Sequence, residues 1–327
     1  MREFTIGKND SGQRLDKFLS KAVKGMPTSL MYKSIRTKKI KVNRKRAEIS
    51  YILCEGDIVQ LFLPDDVFDT PKAVHDLSED TVKLNIVYED ANIILCNKPT
   101  GMLVHSGDGE DADERETLIY KIQSYLFQKG EYDPKSENSF VPALCNRIDR
   151  NTCGIVIAAK NAESLRVMND LIKRRVIEKN YLCVCHGIFK EKSGKLTGYM
   201  IKNAADNRVE VYKKRPNSKD ARTMVTGYRV IAEHDGLSLL SIELITGRTH
   251  QIRAHLASIG HPLLGDGKYG VNKDDRVRGF THQALCSYML SFGDDEGYGS
   301  LSYLIGKKFS VPTKDIKFLS LFPNVKI

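Results

Sequence analysis

Short β-rich runs dominate the chain from residue 84 onward and constrain its fold more than any other feature. Each run is rich in Val, Ile, Leu, Tyr or Cys, as strands are. The runs cover residues 84–88, 93–96, 154–159, 180–185, 221–232 and 237–245. Helical periodicity appears at residues 162–172 and 250–259. The pattern predicts an α+β body with a mixed, mostly antiparallel sheet.

The first 63 residues have a different pattern. Residues 14–24, RLDKFLSKAVK, place apolar side chains at helical spacing on one face and basic side chains largely elsewhere. After a break at residues 25–27, a second amphipathic helix is predicted. Short strands are predicted at residues 40–43 and 57–63, with a basic turn at residues 44–46 after the first of them. The leading segment is therefore a small α/β unit with two helices.

Positive charge is concentrated in this leading segment. The chain has 51 Lys and Arg against 41 Asp and Glu, a net charge of +10. Residues 1–63 hold 14 against 6 of these, or +8, and the other 264 residues hold 37 against 35, or +2. A basic module ahead of a nearly neutral body indicates a polyanionic partner, most often nucleic acid. The alternative is a basic face that serves only solubility.

Length and composition predict two soluble domains, residues 1–63 and 83–327, joined by a Pro- and Asp-containing linker at 64–82. Because no apolar run approaches the ~20 residues that span a bilayer, we expect no membrane association. The first residues lack the apolar core of a signal peptide, which predicts a cytoplasmic protein. The seven cysteines include no Cys-x-x-Cys pair, so neither a disulfide framework nor a zinc site is expected.

Residues 146–160, NRIDRNTCGIVIAAK, form the segment most suggestive of chemistry. Asp149 lies between Arg147 and Arg150, just before an apolar strand. Neighbouring arginines would lower the pKa of this carboxyl, whereas burial would raise it. Such a carboxylate is compatible with nucleophilic or base catalysis, but the segment taken alone favours a structural salt bridge.

A second segment, TGRTHQIRAHL, covers residues 246–256. A helix is predicted to begin at about Thr249, so that Arg248 projects from its N-terminus and can pair with a carboxylate or phosphate. Three histidines follow, His250, His255 and His261. Their spacings of five and six differ from the spacing of four in helical zinc motifs, so no metal is expected.

The leading segment resembles the small RNA-binding domain named after ribosomal protein S4. The resemblance rests on RLDKFL at residues 14–19, on residues 40–43 with the following turn, and on EGDIV at residues 55–59. Arg44 departs from the pattern, because the family usually has glycine there. The resemblance implies contact with RNA. The candidate phosphate contacts are Lys33, Arg36, Lys38, Arg44, Lys45 and Arg46.

The body resembles the RluA/RluD-like family of pseudouridine synthases in four ordered blocks. These are YED with NKPTGMLVH at residues 88–105, RIDRNT at 147–152, KNYL at 179–182, and residues 246–266 followed by YG at 269–270. The resemblance implies isomerisation of uridine within RNA. The bond from ribose to the ring nitrogen breaks, the uracil turns, and carbon 5 joins the sugar. The reaction involves no redox change and no group transfer, so no cofactor is expected.

The resemblance also implies roles for individual residues. Asp149 is the catalytic carboxylate, and whether it attacks the sugar, adds to the base or removes a proton stays open. Tyr181 stacks on the uracil and can help to remove the proton from carbon 5. Arg248 pairs with Asp149 and keeps it ionised. Arg147 fills the place that the target base leaves when it flips into the pocket.

Four positions depart from the usual family residues: Asn146 for His, Ile148 for Leu, Cys153 for Ser and Cys286 for His. Because Asp149, Tyr181 and Arg248 remain, the expected function is an RNA pseudouridine synthase that acts as a monomer. Large-subunit 23S ribosomal RNA is the expected substrate, and transfer RNA is the alternative substrate. The alternatives are a catalytically silent RNA-binding or ribosome-assembly protein on the same fold, and an Asp-dependent nucleosidase.

Overall fold

The computed structural model describes residues 1–68, 77, 82–106, 113–203, 206 and 208–327. One apolar cluster draws on residues 4–68, and the other clusters draw only on residues from 77 onward. The division between the cores therefore falls within the predicted linker at 64–82, most of which lies outside the described residues. The limits of the two domains stay a prediction.

The leading unit is a four-stranded antiparallel sheet with two helices packed on it. Its helices are α1 (Leu15–Ala22) and α2 (Thr28–Arg36), as predicted to within two residues at each start. Its strands are β1 (Arg2–Thr5), β2 (Ile40–Val42), β3 (Lys45–Arg46) and β4 (Ile58–Leu61), in the order β1-β4-β2-β3. Sequence analysis missed β1, because only Phe4 of its four residues is buried.

The turn between β2 and β3 explains the unusual Arg44. Asn43 and Arg44 both have positive φ, 50° and 63°, which is typical of a two-residue hairpin turn. Glycine adopts this conformation without strain, which accounts for its use there in the family. Here the side chains of β4 support the turn, since the Arg44 amide donates to Gln60 Oε1 at 2.9 Å. Lys45 and Arg46 were predicted in the turn, but they form β3.

The body contains an eleven-stranded mixed sheet. Its strands are β5 (Ile86–Glu89), β6 (Ile93–Lys98), β7 (Ala143–Leu144), β8 (Cys153–Ala159), β9 (Ile177–His186), β10 (Ser193–Asn203), β11 (Arg208–Tyr212), β12 (Arg222–His234), β13 (Leu237–Leu244), β14 (Leu285–Phe292) and β15 (Lys308–Ser310). The order is β11-β10-β12-β13-β9-β14-β8-β6-β5, with β15 on β14 and β7 on β8. Among the described strands only β14 and β8 pair in parallel, which confirms the predicted sheet class.

Four α-helices accompany the described part of this sheet: α3 (Leu118–Gln128), α4 (Ala162–Arg174), α5 (Gln251–Ser258) and α6 (Lys273–Val277). Asn161 caps α4 by accepting from the Ser164 amide at 2.8 Å. His250, with φ of 50°, precedes α5, so this helix begins two residues later than predicted. None of the helices in the described ranges is both long and apolar enough to cross a membrane.

Gly154 lets the two central strands approach each other. It has φ of +110°, and a Cβ atom there would lie 2.2 Å from the Ser287 carbonyl oxygen. Gly154 on β8 and Ser287 on β14 are register partners, and Ser287 is also the partner of Tyr181 on β9. The close contact therefore fixes strand β9 relative to the loop that precedes β8.

Candidate active site

An open cleft lies where the loop before β8 meets the start of α5. It is lined by residues 99–104, 145–152 and 247–253, with Lys179 and Tyr181 from β9 among its other residues. Its volume of about 1360 Å³ exceeds the roughly 300–1,000 Å³ that is usual for sites of small ligands. A cleft of this size can accommodate part of a ligand larger than a usual small molecule.

Asp149 lines this cleft with a partly exposed carboxylate. Its side chain is 26% exposed, and Oδ2 accepts a hydrogen bond from Arg253 Nη1 at 3.0 Å. His250 Nε2 lies 3.9 Å from the same oxygen. Within the described residues no hydrogen bond reaches Oδ1. This oxygen is left for a ligand, while Oδ2 holds the group in place.

Arg253 is itself held by a second carboxylate. Its Nε and Nη2 donate to Asp266 Oδ2 and Oδ1 at 2.7 and 2.9 Å, and both residues are buried. Burial acts to raise the pKa of Asp266, but hydrogen bonds and the charge of Arg253 outweigh burial and lower it. Asp266 therefore stays ionised and fixes the guanidinium, which offers a remaining N–H to Asp149.

The predicted ion pair between Arg248 and Asp149 is wrong, because Arg253 takes that place. Arg248 lies ahead of α5, is exposed, and its Nε donates to the Thr223 carbonyl at 3.5 Å. The later start of the helix explains the difference, since Arg253 lies in the first turn of α5. Arg248 still lines the cleft. The sequence did point to Arg253 in one respect, because the motif at residues 246–256 contains both Arg248 and Arg253.

The arginines that flank Asp149 in sequence do not pair with it either. Arg147 and Arg150 are both exposed at the cleft, and neither lies within 4 Å of the Asp149 carboxylate as an ion pair in the described structure. Arg150 Nε instead donates to the Gly101 carbonyl at 3.0 Å. The charge next to Asp149 therefore comes from a distant part of the chain.

Tyr181 is buried beside this site, with 5% of its surface exposed. Burial raises the pKa of its phenol to about 12, a hydrogen bond with Ser287 acts in the opposite direction, and the charge of Asp149 adds to the increase. The phenol is therefore protonated near neutral pH. The influence of Asp149 places the two side chains in one electrostatic environment.

Lys98 is a structural part of the site that the sequence analysis did not identify. Its ammonium is fully buried and donates to the carbonyls of Pro99, Met102 and Arg150 at 2.9, 2.9 and 2.8 Å. Three acceptors match the three donors of an ammonium. Burial lowers the pKa of Lys98 to about 8, so that it remains charged at pH 7. Lys98 thus joins the turn after β6 to the loop of Asp149.

The three histidines of the second segment have separate surroundings. His250 Nδ1 lies 2.9 Å from the Tyr269 hydroxyl, His255 Nδ1 lies 3.1 Å from the Thr226 hydroxyl, and His261 Nδ1 lies 2.9 Å from a backbone carbonyl. Across the described ranges, no group of three or more His, Cys, Asp or Glu side chains could hold a metal ion.

The predicted RNA contacts of the leading unit are all on its surface. The two helices bury their apolar faces, and the six basic side chains lie at exposed positions of α2, the segment after it, and the β2–β3 hairpin. They are Lys33, Arg36, Lys38, Arg44, Lys45 and Arg46. Tyr32 on α2 is 41% exposed beside them.

Comparison with known proteins defines the class of both units. Residues 92–258 match the family model described as RNA pseudouridylate synthase, and residues 13–59 match the S4 domain. The chain resembles human RNA pseudouridylate synthase domain containing 4 at 20% identity, with a TM-score of 0.56, over 74% of this chain and 94% of that one. At this identity the likeness shows the fold alone.

Two bacterial relatives are more similar in sequence. Ribosomal large subunit pseudouridine synthase C of Buchnera aphidicola subsp. Baizongia pistaciae is 32% identical, over 83% of this chain and 81% of the relative. The protein of the same name from Vibrio parahaemolyticus is 30% identical, over 89% of each chain. The chain therefore belongs to the RNA pseudouridylate synthase family. It is an isomerase of RNA uridine, with an S4 domain at its N-terminal end.

Proposed function

We propose that this protein isomerises specific uridines of large-subunit 23S ribosomal RNA to pseudouridine, as a monomer in the cytoplasm. The single observation that carries this proposal is Asp149, which lines the cleft, is held through Oδ2 by Arg253, and has no hydrogen bond to Oδ1 within the described residues. The relatives from Buchnera and Vibrio are named for the large ribosomal subunit, which favours this RNA over transfer RNA.

Asp149 is the proposed catalytic carboxylate. Attack on the sugar, addition to the base and removal of a sugar proton all need an ionised carboxylate with one free oxygen. Arg253 supplies a positive charge that favours the ionised carboxylate. Its bidentate pairing with Asp266 holds the guanidinium in place while the substrate reacts. Positioning of this kind lowers the barrier because the donor does not reorganise during the reaction.

The other predicted residues have distinct proposed tasks. Tyr181 stacks on the uracil in the cleft. Because its phenol is protonated at neutral pH, stacking is the main contribution of this side chain. Arg147 is exposed at the cleft, where it can fill the gap left by the flipped base. Arg248 is exposed and lines the cleft, which suits contact with an RNA phosphate.

The test is release of tritium from carbon 5 of labelled uridine in transcribed 23S ribosomal RNA. The wild-type protein is expected to release it. Asp149→Ala should abolish release but leave RNA affinity within about twofold, because contacts with phosphates dominate affinity. Retained turnover in this variant would sink the assignment of Asp149. Binding without release by the wild type would indicate a silent RNA-binding protein, and free uracil would indicate a nucleosidase.

A further inference from the structure

The loop between β1 and α1 joins the S4 domain to the synthase domain. Asp10 in this loop is 2% exposed. Its Oδ1 accepts from the Ser139 hydroxyl at 2.6 Å, and its Oδ2 accepts from Asn138 Nδ2 at 2.8 Å. Gln13 Nε2 donates to the same Ser139 hydroxyl at 2.9 Å. Because a buried carboxylate needs hydrogen-bond donors, Asp10 depends on partners from the segment that follows α3.

Asn9 makes a second connection. Its Nδ2 donates to Glu137 Oε1 at 2.6 Å, and its Oδ1 accepts from the backbone amide of Ala162 at 3.1 Å. Ala162 is the first residue of α4, where backbone amides lack partners within the helix. Arg166 of the same helix donates to the Ser11 carbonyl at 3.3 Å. The loop therefore contacts two elements of the synthase domain.

This docking interface consists of the side chains of Asn9, Asp10 and Gln13 and the carbonyl of Ser11 on the S4 domain, and of Glu137, Asn138, Ser139, Ala162 and Arg166 on the synthase domain. Its contacts are polar. In the described structure no apolar cluster contains side chains from both domains. Docking therefore depends on these hydrogen bonds, so we expect the loss of a single donor or acceptor to open the interface.

The docking interface is remote from Asp149. Helix α4 follows β8, and the loop of Asp149 precedes β8 at its other end. β8 has seven residues, and at a rise of about 3.3 Å per residue its two ends lie about 20 Å apart.

We propose that the docking interface is a positioning device. It holds the basic face of the S4 domain at a fixed distance from Asp149, so the enzyme prefers RNA whose S4-binding element and target uridine have a matching spacing. This proposal rests on the proposed function. A fixed arrangement raises affinity for such RNA, because the domains do not have to be ordered when they bind.

The test compares Asp10→Ala with Ser11→Ala in the full-length protein. Ser11 is a matched control, because its hydroxyl donates to the Lys8 carbonyl within the same loop. Small-angle scattering should show a larger maximum dimension for Asp10→Ala alone. With the 23S transcript carrying tritiated uridine, KM and Kd should rise at least fivefold, while kcat at saturating RNA stays within twofold. Ser11→Ala should behave as the wild type.

Ser139→Ala supplies the second variant. It should change scattering, KM and Kd in the same direction as Asp10→Ala, and the effects of the double variant should be less than additive, because the two substitutions share the Asp10–Ser139 contact. Unchanged scattering in both variants would overturn docking. Larger dimensions with unchanged KM and Kd would overturn the positioning role. If the wild type releases no tritium, the proposed function fails, while scattering and Kd still decide the docking.

Discussion

At the scale of residues, the active site depends on one guanidinium shared by two carboxylates. Asp266 takes two N–H groups of Arg253, and Asp149 takes a third. The pair of Arg253 and Asp266 is buried, where an arginine without a partner would be costly. Asp266 therefore orients the guanidinium of Arg253, and Arg253 in turn orients the carboxylate of Asp149.

The two arginines of the α5 motif should differ sharply when each is changed to lysine. Arg253→Lys keeps the charge but loses the planar set of donors that reaches both carboxylates. We expect kcat to fall about 10²–10³-fold, the usual effect of losing one positioned donor. Arg248→Lys should keep kcat within about threefold. Single-turnover tritium release measures both, and an equal loss in the two variants would contradict the assignment.

The sequence identified the segments of the site better than the contacts within it. Asp149 and Tyr181 were recognised as a carboxylate and an aromatic ring from ordered motifs, and they lie in one electrostatic environment. The sequence alone did not indicate which arginine pairs with Asp149, because a shift of two residues in the start of α5 decides whether Arg248 or Arg253 reaches the carboxylate. Lys98 was missed because its carbonyl partners belong to two separate loops.

At the scale of elements, the strongest signals in the sequence came from strands buried in the centre of the sheet. β8 and β9 are apolar over most of their length, and both were predicted. β11 is an edge strand and β10 lies next to it, and both have many exposed positions, so their residues lack a continuous apolar run. Helix α3 is buried around much of its circumference, which obscures the periodicity of one face.

Two glycines near the site allow a matched test of how closely β8 and β14 must pack. Gly101 has φ of +89° with open space around it, whereas Gly154 has both positive φ and the close Ser287 carbonyl. Gly101→Ala should lower the free energy of unfolding by about 1–2 kcal/mol, which is the usual cost of a non-glycine residue in the left-handed conformation. Gly154→Ala should cost roughly 4 kcal/mol or more, because backbone must also move. Urea unfolding measures both, and equal costs would contradict the packing argument.

At the scale of the whole molecule, charge and chemistry are divided between the domains. The leading 63 residues carry +8 of the net +10, and six basic side chains of this region lie exposed on α2, after it and on the β2–β3 hairpin. The synthase domain has a nearly balanced net charge but holds the cleft, which is lined by Asp149 and by six basic residues: Arg147, Arg150, Lys179, Lys202, Arg248 and Arg253. We therefore expect that substitutions can alter RNA affinity through the S4 domain without altering the reaction in the synthase domain, and the reverse.

Removal of three exposed charges from the S4 domain should weaken RNA binding without slowing the bound enzyme. Changing Lys33, Arg36 and Lys38 to alanine removes three of the proposed phosphate contacts, so the slope of log Kd against log salt should decrease by about 2–3. The kcat at saturating RNA should stay within twofold, because Asp149 and Arg253 are untouched.

The control for this prediction removes the same charge elsewhere. Lys308, Lys314 and Lys317 are exposed in the last part of the chain and do not line the cleft. Changing these three to alanine lowers the net charge equally, so it should leave the salt slope nearly as in the wild type. Filter binding of the 23S transcript between 50 and 300 mM salt, about the usual range for such slopes, measures both triple variants. Equal slopes would mean that net charge, and not the face of the S4 domain, sets the affinity for RNA.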